Sequence, residues 1–369
     1  MPGQQVRYVR SFDGAQIAYA VSGSGPPVVL MPSWLTHLEY QGRSVAWQPW
    51  IEALSSRHTL IRYDPRGCGL SDRDVSNLSF DAWVQDFAAL ADRLELDRFP
   101  LVGTCQGGAV AIDFAGRHPA RVSHLVLYGT YARGRNRRSS IPLEPEKAKV
   151  MLDMLELGWG QEDSAFMRSF ATQFQPEGSM EHLRSWCELQ RRATSPANAA
   201  ALTRIMFDID VSDSAARIAC PTLVAHPDRD AVAPIEEGRR LAQIIPDAHF
   251  LQLDSPNHFL LADEPAWSTF VHALHDFLPA SEGGIDAFGL TPRERGVLDL
   301  LARGLDNQAI GGELGISEKT VRNHVTAIFD KLGATTRAQA IVAAREVGLG
   351  TSSGPLGTEV PAGNRRTGR

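Results

Sequence analysis

A short segment around Cys105 constrains the fold more than any other feature of the chain. Residues 99–108 read Phe-Pro-Leu-Val-Gly-Thr-Cys-Gln-Gly-Gly, an apolar run that passes into closely spaced glycines. The run predicts a buried strand, and Gly103 and Gly107 permit a strained turn with close helix-to-strand packing. The sequence therefore predicts a strand, a tight turn and a helix start that together present the Cys105 side chain at one edge of a sheet.

Short apolar runs recur along the first part of the chain, with helical stretches between them. They comprise residues 27–31, 58–63, 99–102, 122–127, 221–225 and 248–253. This alternation predicts a doubly wound, mostly parallel sheet. Residues 6–21 alternate apolar and polar side chains around Asp13-Gly14 and predict a β-hairpin. We interpret the helix-rich residues 133–216 as a cap over the sheet, with an ordinary continuation of the core as the alternative.

The length of 369 residues favours two domains with a linker. We place the first domain at residues 1–280, a linker of small residues at 281–289, and a second, all-helical domain at 290–350. Residues 351–369 consist mainly of Gly, Ser, Thr, Pro and Arg, and this composition predicts a disordered tail.

Composition excludes several classes of protein. No apolar run approaches the roughly 20 residues that cross a bilayer, and the first residues do not resemble a signal peptide. The four cysteines are scattered, which argues against a disulfide framework or a zinc site. We therefore expect a cytoplasmic protein without membrane contact, and the net charge of −6 means that any nucleic-acid contact comes from a local surface.

Three side chains follow predicted strands in the order nucleophile, acid, base. Cys105 lies at the glycine turn, Asp230 follows the strand at 221–225, and His258 follows the strand at 248–253. This order fits a catalytic triad in which His258 takes the thiol proton, Asp230 supports the imidazolium, and the Cys105 thiolate attacks a carbonyl carbon. Asp228 is the competing acid. The chemistry calls for no metal and no cofactor.

Residues 2–278 resemble an α/β-hydrolase with a helical cap. The resemblance includes the segment Asp-Pro-Arg-Gly-Cys-Gly-Leu-Ser-Asp at 64–72, which is similar to the family's D-x-R-G-x-G-x-S pattern. It implies an oxyanion hole formed by the backbone N–H groups of Trp34 and Gln106, in a loop that reads Pro-Ser-Trp where the family usually has His-Gly. Cys105 stands where most relatives carry serine. A thiol at this position favours esters and lactones as substrates. The alternative is that Cys105 is only a small buried residue in an inactive pocket.

We interpret two further sequence features, a second cysteine and a run of arginines, as structural. Cys68, between glycines, is read as a turn residue rather than a redox partner. The basic cluster Arg133, Arg135, Arg137 and Arg138 is read as a solvated surface loop.

The C-terminal domain opens with a helix-capping pattern. Thr291 is an N-cap, Pro292 fits the first helical position, and Glu294 completes a capping box. A second helix follows Asp306, and Ser317 caps a third after a short glycine turn. Two short helices joined in this way predict a helix-turn-helix, whose second member reads a major groove.

Residues 290–350 resemble the LuxR-type helix-turn-helix family, through Leu-Thr-x-Arg-Glu at 290–294 and Ser-x-Lys-Thr-Val-Arg-Asn-His-Val at 317–325. The resemblance implies base contacts from Arg322, Asn323 and Thr326. It implies phosphate contacts from Lys319, Thr320 and His324. The alternative is a helical interaction module without affinity for DNA.

These features favour a dimeric, ligand-responsive regulator that binds double-stranded DNA and senses a small carbonyl compound. The rival hypothesis is a cysteine hydrolase acting on esters or lactones, with an accessory DNA-binding domain. A protein-interaction scaffold is a third alternative. Because acidic and basic residues are nearly balanced in the second domain, we expect a homodimer to bind paired half-sites.

Overall fold

A computed structural model of the chain describes residues 5–138, 145–161, 164–279, 290–346 and 349–350. It divides the chain into two compact units, Met1–Ser281 and Glu282–Arg369. The expected linker at 281–289 and the expected tail at 351–369 lie outside the described residues.

The first unit is built on one eight-stranded sheet. Its strands are β1 (Gln5–Arg10), β2 (Gln16–Ser22), β3 (Pro27–Met31), β4 (Thr59–Tyr63), β5 (Phe99–Thr104), β6 (Val122–Tyr128), β7 (Thr222–Pro227) and β8 (Ala248–Leu253). Their order across the sheet is β1-β2-β4-β3-β5-β6-β7-β8. The predicted hairpin forms β1 and β2, which pair antiparallel, and β3 to β8 run parallel. The carboxyl ends of those parallel strands share one edge, where ligands bind in sheets of this class.

Helices cover the sheet. They are α1 (Leu38–Gln41), α2 (Gln48–Ser55), α3 (Phe80–Arg93), α4 (Gln106–Arg117), α5 (Pro145–Gly158), α6 (Ala165–Thr172), α7 (Met180–Ala193), α8 (Pro196–Asp208), α9 (Ser212–Ala215), α10 (Ile235–Ile244) and α11 (Pro265–Phe277), with a short 3₁₀ helix at Arg135–Arg137. The apolar strands and the inner helix faces form a continuous buried core.

Helices α5 to α8 occupy the segment interpreted as a cap, between β6 and β7. Backbone and side-chain bonds fasten them to loops at the carboxyl edge of the sheet. The Thr194 hydroxyl donates to the carbonyl of Gly67 over 2.6 Å, and the Phe259 N–H donates to the carbonyl of Phe174 over 3.0 Å. The cap is therefore held at two separate loops of the sheet domain.

A buried ionic network lies under the loop that follows β4. Arg66, from the segment 64–72, is fully buried and pairs with Asp86 and with Asp13, each over 2.6 Å. The Arg66 guanidinium thus connects the loop after β4 to α3 and to the turn of the hairpin. Its role is structural, since a buried charge needs close partners to offset the loss of water.

The second unit consists of helices α12 (Pro292–Ala302), α13 (Asn307–Leu314), α14 (Glu318–Leu332) and α15 (Arg337–Glu346). They pack around a small core of their own that includes Val297, Leu301, Ile310, Val321 and Ile328. Val325 and Leu332 of α14 are half-buried at the margin of this core. Among the residues that the structure describes, no helix is long and apolar enough to cross a membrane.

Candidate active site and nucleic-acid interface

Cys105 sits at a strained turn between β5 and α4. Its backbone has φ 51° and ψ −131°, a left-handed conformation that is rare for a residue with a side chain. The Thr130 hydroxyl donates to the Cys105 carbonyl over 2.5 Å, and the Cys105 N–H donates to the Tyr128 carbonyl over 3.2 Å. Hydrogen bonds to β6 and to the loop after it therefore stabilise this strained backbone conformation, as is common at functional sites.

Glycines permit the close packing around this turn. A Cβ at Gly107 would collide with the carbonyl oxygen of Pro32, in the loop after β3. In addition, the Gln106 side-chain amide donates to the Ser33 carbonyl over 2.7 Å. The start of α4 and the loop that holds Trp34 are thus locked together beside Cys105.

The two expected oxyanion residues lie on either side of that junction. The Gln106 N–H is the first amide of α4, so it has no acceptor within the helix. Trp34 is buried and lines the same cavity as Cys105. A helix N-terminus facing this cavity favours negative charge, which is what an oxyanion site requires.

His258 and Asp230 meet in the buried interior. His258 Nδ1 lies 2.6 Å from Asp230 Oδ2, and neither side chain is exposed. The other carboxylate oxygen of Asp230 accepts the backbone N–H groups of Val232 and Ala233, over 2.7 and 3.0 Å. These contacts fix the carboxylate, which in turn fixes the imidazole with Nε2 free to serve a reacting group.

The competing acid does not reach the imidazole. Asp228 is partly exposed, accepts the N–H of Ser255 over 3.1 Å and lies 3.3 Å from Arg229. The structure therefore brings Asp230, rather than Asp228, to His258.

Charge coupling sets the protonation of the pair. Burial by itself lowers the pKa of His258, but the charges of Asp230 and Cys105, with the hydrogen bond to Asp230, outweigh burial and raise that pKa to about 10. Burial raises the pKa of Asp230, whereas the imidazolium and the backbone donors bring the net pKa below its ordinary value. His258 is therefore a cation at neutral pH, beside the Cys105 sulfur.

Cys68 has a different environment. It is buried in the turn after β4, and burial raises the pKa of its thiol far above the ordinary value. An un-ionised thiol is a poor nucleophile, which agrees with its interpretation as a turn residue.

A cavity of about 70 Å³ opens above Cys105. Most of its wall is apolar and comes from α6, α8 and the loop after β7, but Arg135 and Arg138 also line it. The interpretation of the whole basic cluster as a solvated loop is therefore wrong for these two arginines. The sequence places them in a charged run, and only the fold of the segment after β6 turns them toward Cys105.

The second unit presents the expected helix-turn-helix caps. The Thr291 hydroxyl accepts the Glu294 N–H over 3.3 Å, and Glu294 accepts the Thr291 N–H over 2.7 Å, which completes the capping box. Glu294 also pairs with Lys331 of α14 over 2.7 Å. The Ser317 hydroxyl accepts the Thr320 N–H at the start of α14. These bonds set the angle at which α12 supports α14.

Helix α14 has one buried and one exposed face. Val321 and Ile328 are buried, whereas the residues expected at DNA are exposed or half-buried. The latter are Lys319, Thr320, Arg322, Asn323, His324 and Thr326. Arg322 pairs with Glu318 over 2.7 Å, and both side chains are about half exposed to solvent. An exposed pair of this kind is weak, so Arg322 is available to a base edge.

Within the described ranges, no cluster of three or more histidine, cysteine or acidic side chains is arranged to hold a metal ion. The sequence analysis did not place Arg135 and Arg138 at the Cys105 cavity, because a run of arginines by itself gives no signal of a pocket.

Comparison with known proteins identifies both parts of the chain. The model of the α/β-hydrolase fold matches residues 26–166, and the model of bacterial regulatory proteins of the luxR family matches residues 289–344. A 2-hydroxy-6-oxo-2,4-heptadienoate hydrolase from Pseudomonas putida is 29% identical over 70% of this chain and 91% of its own length. Pyrrolizixenacetamide deacetylase from Xenorhabdus hominickii is 26% identical over 72% and 95%.

Solved structures show the same architecture. An esterase from Exiguobacterium antarcticum superposes with a TM-score of 0.64 at 22% identity, covering 74% of this chain and 99% of the esterase. An enol-lactonase from Burkholderia xenovorans superposes with a TM-score of 0.55 at 24% identity, covering 73% and 99%. The chain is therefore an α/β-hydrolase-fold domain joined to a DNA-binding domain of the luxR family of bacterial regulatory proteins.

Proposed function

We propose that this protein is a DNA-binding transcriptional regulator whose hydrolase-fold domain senses a small ester, lactone or other carbonyl compound. The observation that carries the proposal is the buried set Cys105, His258 and Asp230 beside an apolar cavity, in one chain with a helix-turn-helix that exposes Arg322 and Asn323. The first part supplies chemical recognition of a carbonyl group, and the second supplies recognition of DNA.

The chemistry at the cavity is acyl transfer to sulfur. The thiol proton resides on His258, which Asp230 stabilises, and the Cys105 sulfur attacks the carbonyl carbon. The N–H groups of Trp34 and Gln106 stabilise the developing oxyanion. The bond from carbon to the leaving oxygen then breaks, and His258 Nε2 returns its proton to that oxygen. A thioester on Cys105 and a free alcohol result.

The cap supplies a route by which such an event changes the domain. Phe174, which follows α6, lies 5.8 Å from the His258 ring and accepts a backbone bond from Phe259. The next residue, Gln175, donates to the Phe259 carbonyl over 2.9 Å and accepts from Trp186 of α7 over 2.8 Å. An acyl group on Cys105 therefore presses on a segment that is bonded to the base loop on one side and to α7 on the other.

The regulator proposal predicts that the ligand changes DNA affinity. Bound DNA is first selected from a random pool with the full-length protein. The affinity for the selected fragment is then measured with and without a panel of activated esters and lactones, for the wild type and for Cys105→Ala. We expect an ester that acylates Cys105 to change the affinity of the wild type and to leave that of the variant unchanged. An unchanged affinity in fully acylated wild-type protein would contradict the proposal.

A cysteine hydrolase with an accessory DNA-binding domain is the second candidate. The short His258–Asp230 contact of 2.6 Å favours it, because complete support of the base serves repeated turnover as well as a single acylation. Steady-state release of para-nitrophenol separates the two candidates. Multiple turnovers that disappear in Cys105→Ala support the enzyme, whereas a single burst with a stable thioester, detected by mass spectrometry, supports the sensor.

A further inference from the structure

The arginines of residues 133–138 fall into two groups. Arg133 pairs with Glu237 over 2.8 Å, and Arg137 is exposed to solvent. Arg135 and Arg138, in contrast, are half-buried and line the Cys105 cavity. In the part of the chain that the structure describes, neither of these two guanidinium groups forms an ion pair with a carboxylate.

The contacts that Arg135 and Arg138 do make leave donors unused. Arg135 reaches the Met151 sulfur over 3.9 Å and lies over the Phe207 ring, with 5.8 Å from its Cζ to the ring centroid. Arg138 uses Nε for the Arg133 carbonyl, over 3.0 Å, and its Cζ lies 5.0 Å from the centroid of the Tyr131 ring. Weak acceptors and ring faces support a guanidinium, but they do not neutralise it.

The arrangement is electrostatically costly without an anion. Two positive groups share one apolar cavity, and burial together with the charge of Arg138 lowers the pKa of Arg135. Desolvated charges of one sign are stabilised when a counter-charge joins them. A carboxylate matches the planar donor pattern of a guanidinium and forms two parallel hydrogen bonds with it.

Tyr131 connects the arginines to the reacting sulfur. It is buried in the same cavity wall, and burial and the charge of Cys105 both raise its pKa. Cys105, Tyr131 and the two arginines therefore line one continuous cavity. The apolar surface between its two polar ends belongs to Phe170, Met206 and Val232, among others.

We infer that the carbonyl compound taken by this cavity also carries a carboxylate, held by Arg135 and Arg138 while its ester or lactone carbonyl meets Cys105. The inference rests on the proposed function, because it names the chemical class that the same site accepts. The apolar wall between the Cys105 sulfur and the two arginines suits a short apolar connecting chain. A short dicarboxylic half-ester, or a lactone bearing a carboxylate, fits this description.

The test compares two esters that differ in one charge. The probes are para-nitrophenyl hydrogen glutarate and its methyl ester, para-nitrophenyl methyl glutarate. In each, the Cys105 sulfur forms a bond to the activated carbonyl carbon, the bond from that carbon to the aryl oxygen breaks, para-nitrophenolate leaves, and His258 keeps its proton. The first-turnover rate constant is measured with the full-length wild type and with Arg135→Met, Arg138→Met and Arg137→Met. Arg137 is the matched control, because it is exposed on the same 3₁₀ helix.

We expect the wild type to react about 10-fold or more faster with the carboxylate ester than with the neutral ester, as hydrogen bonds to charged groups imply. Arg135→Met and Arg138→Met should each bring the two rates close together, and a measurable first-turnover rate with the neutral ester shows that the site is folded. Arg137→Met should keep the wild-type preference. Equal rates in the wild type, or a preference that survives both cavity substitutions, would overturn the inference.

A binding measurement keeps this inference separate from the covalent step. Monomethyl glutarate is titrated calorimetrically into Cys105→Ala, with and without Arg135→Met. If neither para-nitrophenyl ester acylates the wild type, the covalent part of the proposed function fails. The anion site then stands if monomethyl glutarate binds and Arg135→Met abolishes that binding, and it falls if monomethyl glutarate does not bind.

Discussion

At the scale of single residues, the location of one proton decides the chemistry of the cavity. His258 is buried, and burial alone would keep its imidazole neutral. The charges of Asp230, 2.6 Å away, and of Cys105 raise the pKa of His258 to about 10, so the imidazole keeps its proton well above neutral pH. His226, also buried and near Asp230, donates to a backbone carbonyl instead, and burial lowers its pKa. Two neighbouring histidines thus differ in charge because their partners differ.

This difference predicts that the two histidines contribute differently to the pH dependence of stability above pH 6.5. The folded pKa of His258, about 10, exceeds the ordinary 6.5, so its stabilising effect is complete below pH 6.5 and is lost as pH rises through about 10. The difference in unfolding free energy between the wild type and His258→Gln should therefore shrink by a few kcal/mol across that range in urea titrations. His226→Gln is the control, and its difference should stay constant there. A constant difference for His258→Gln would contradict the protonated state.

A second residue-scale prediction concerns Arg322. Arg322→Ala should weaken binding to the selected DNA by about 1 to 3 kcal/mol and relax the preference at one base position. Arg303→Ala provides the matched control, because Arg303 also pairs with an acidic residue four positions earlier, but at the C-cap of α12. Affinities are measured by fluorescence anisotropy on the selected fragment and its single-base variants. An equal loss on every fragment would show that Arg322 contacts phosphate instead of a base.

At the scale of elements, one carboxylate organises the DNA-binding unit. Glu294 caps α12 through the Thr291 N–H and reaches Lys331 at the far end of α14. The hydrogen bonds from Lys331 and Thr291 lower the pKa of Glu294 to about 2. Helix α12 therefore depends on an ionised Glu294 both for its cap and for its connection to α14.

A stability measurement at low pH tests this role. The depressed pKa stabilises the fold above the ordinary pKa of 4.5, and the effect is lost as pH falls towards 2. Glu294→Gln should destabilise a fragment of residues 282–369 by about 1 kcal/mol at neutral pH and have progressively less effect in acid. Glu313→Gln, at an exposed position of α13, is the control. Thermal unfolding followed by circular dichroism gives the difference, and a pH-independent difference would contradict the assignment.

At the scale of the whole molecule, charge argues for paired copies on DNA. The chain carries a net charge of −6, so non-specific attraction to phosphate is small and affinity must come from a local surface. We expect a single copy of α14 to offer few phosphate contacts. Two copies on adjacent half-sites double those contacts and make binding steeper in both protein and salt concentration.

We accordingly predict cooperative binding to a fragment with two half-sites. The slope of log affinity against log salt should be about twice that for one half-site. Moving one half-site by about 5 base pairs places it on the opposite face of the helix and should abolish the cooperativity. Sedimentation and anisotropy measurements on the same fragments check both expectations. Identical affinity and slope on single and paired half-sites would exclude a dimer as the binding species.

Much of this protein follows from local sequence. Period-two alternation and short apolar runs placed the strands to within a few residues, because apolar residues flanked by turn signals have few alternatives to a buried strand. The capping residues Thr291 and Ser317 marked their helices correctly, since each cap satisfies backbone N–H groups within a single turn. The glycines around Cys105 predicted the strained turn, because they permit the close packing that such a turn requires.

What the tertiary structure alone decided is how distant residues meet. The sequence predicted Asp230 as the acid, with Asp228 as the competitor two positions away, and the packing of the loops after β7 and β8 supplies the actual 2.6 Å contact between Asp230 and His258. Arg135 and Arg138 read as a surface run, yet the chain folds back over the sheet and turns them into the Cys105 cavity. The cavity position of the two arginines is not encoded in spacing along the chain, because burial and charge pairing depend on neighbours that are remote in sequence and close in space.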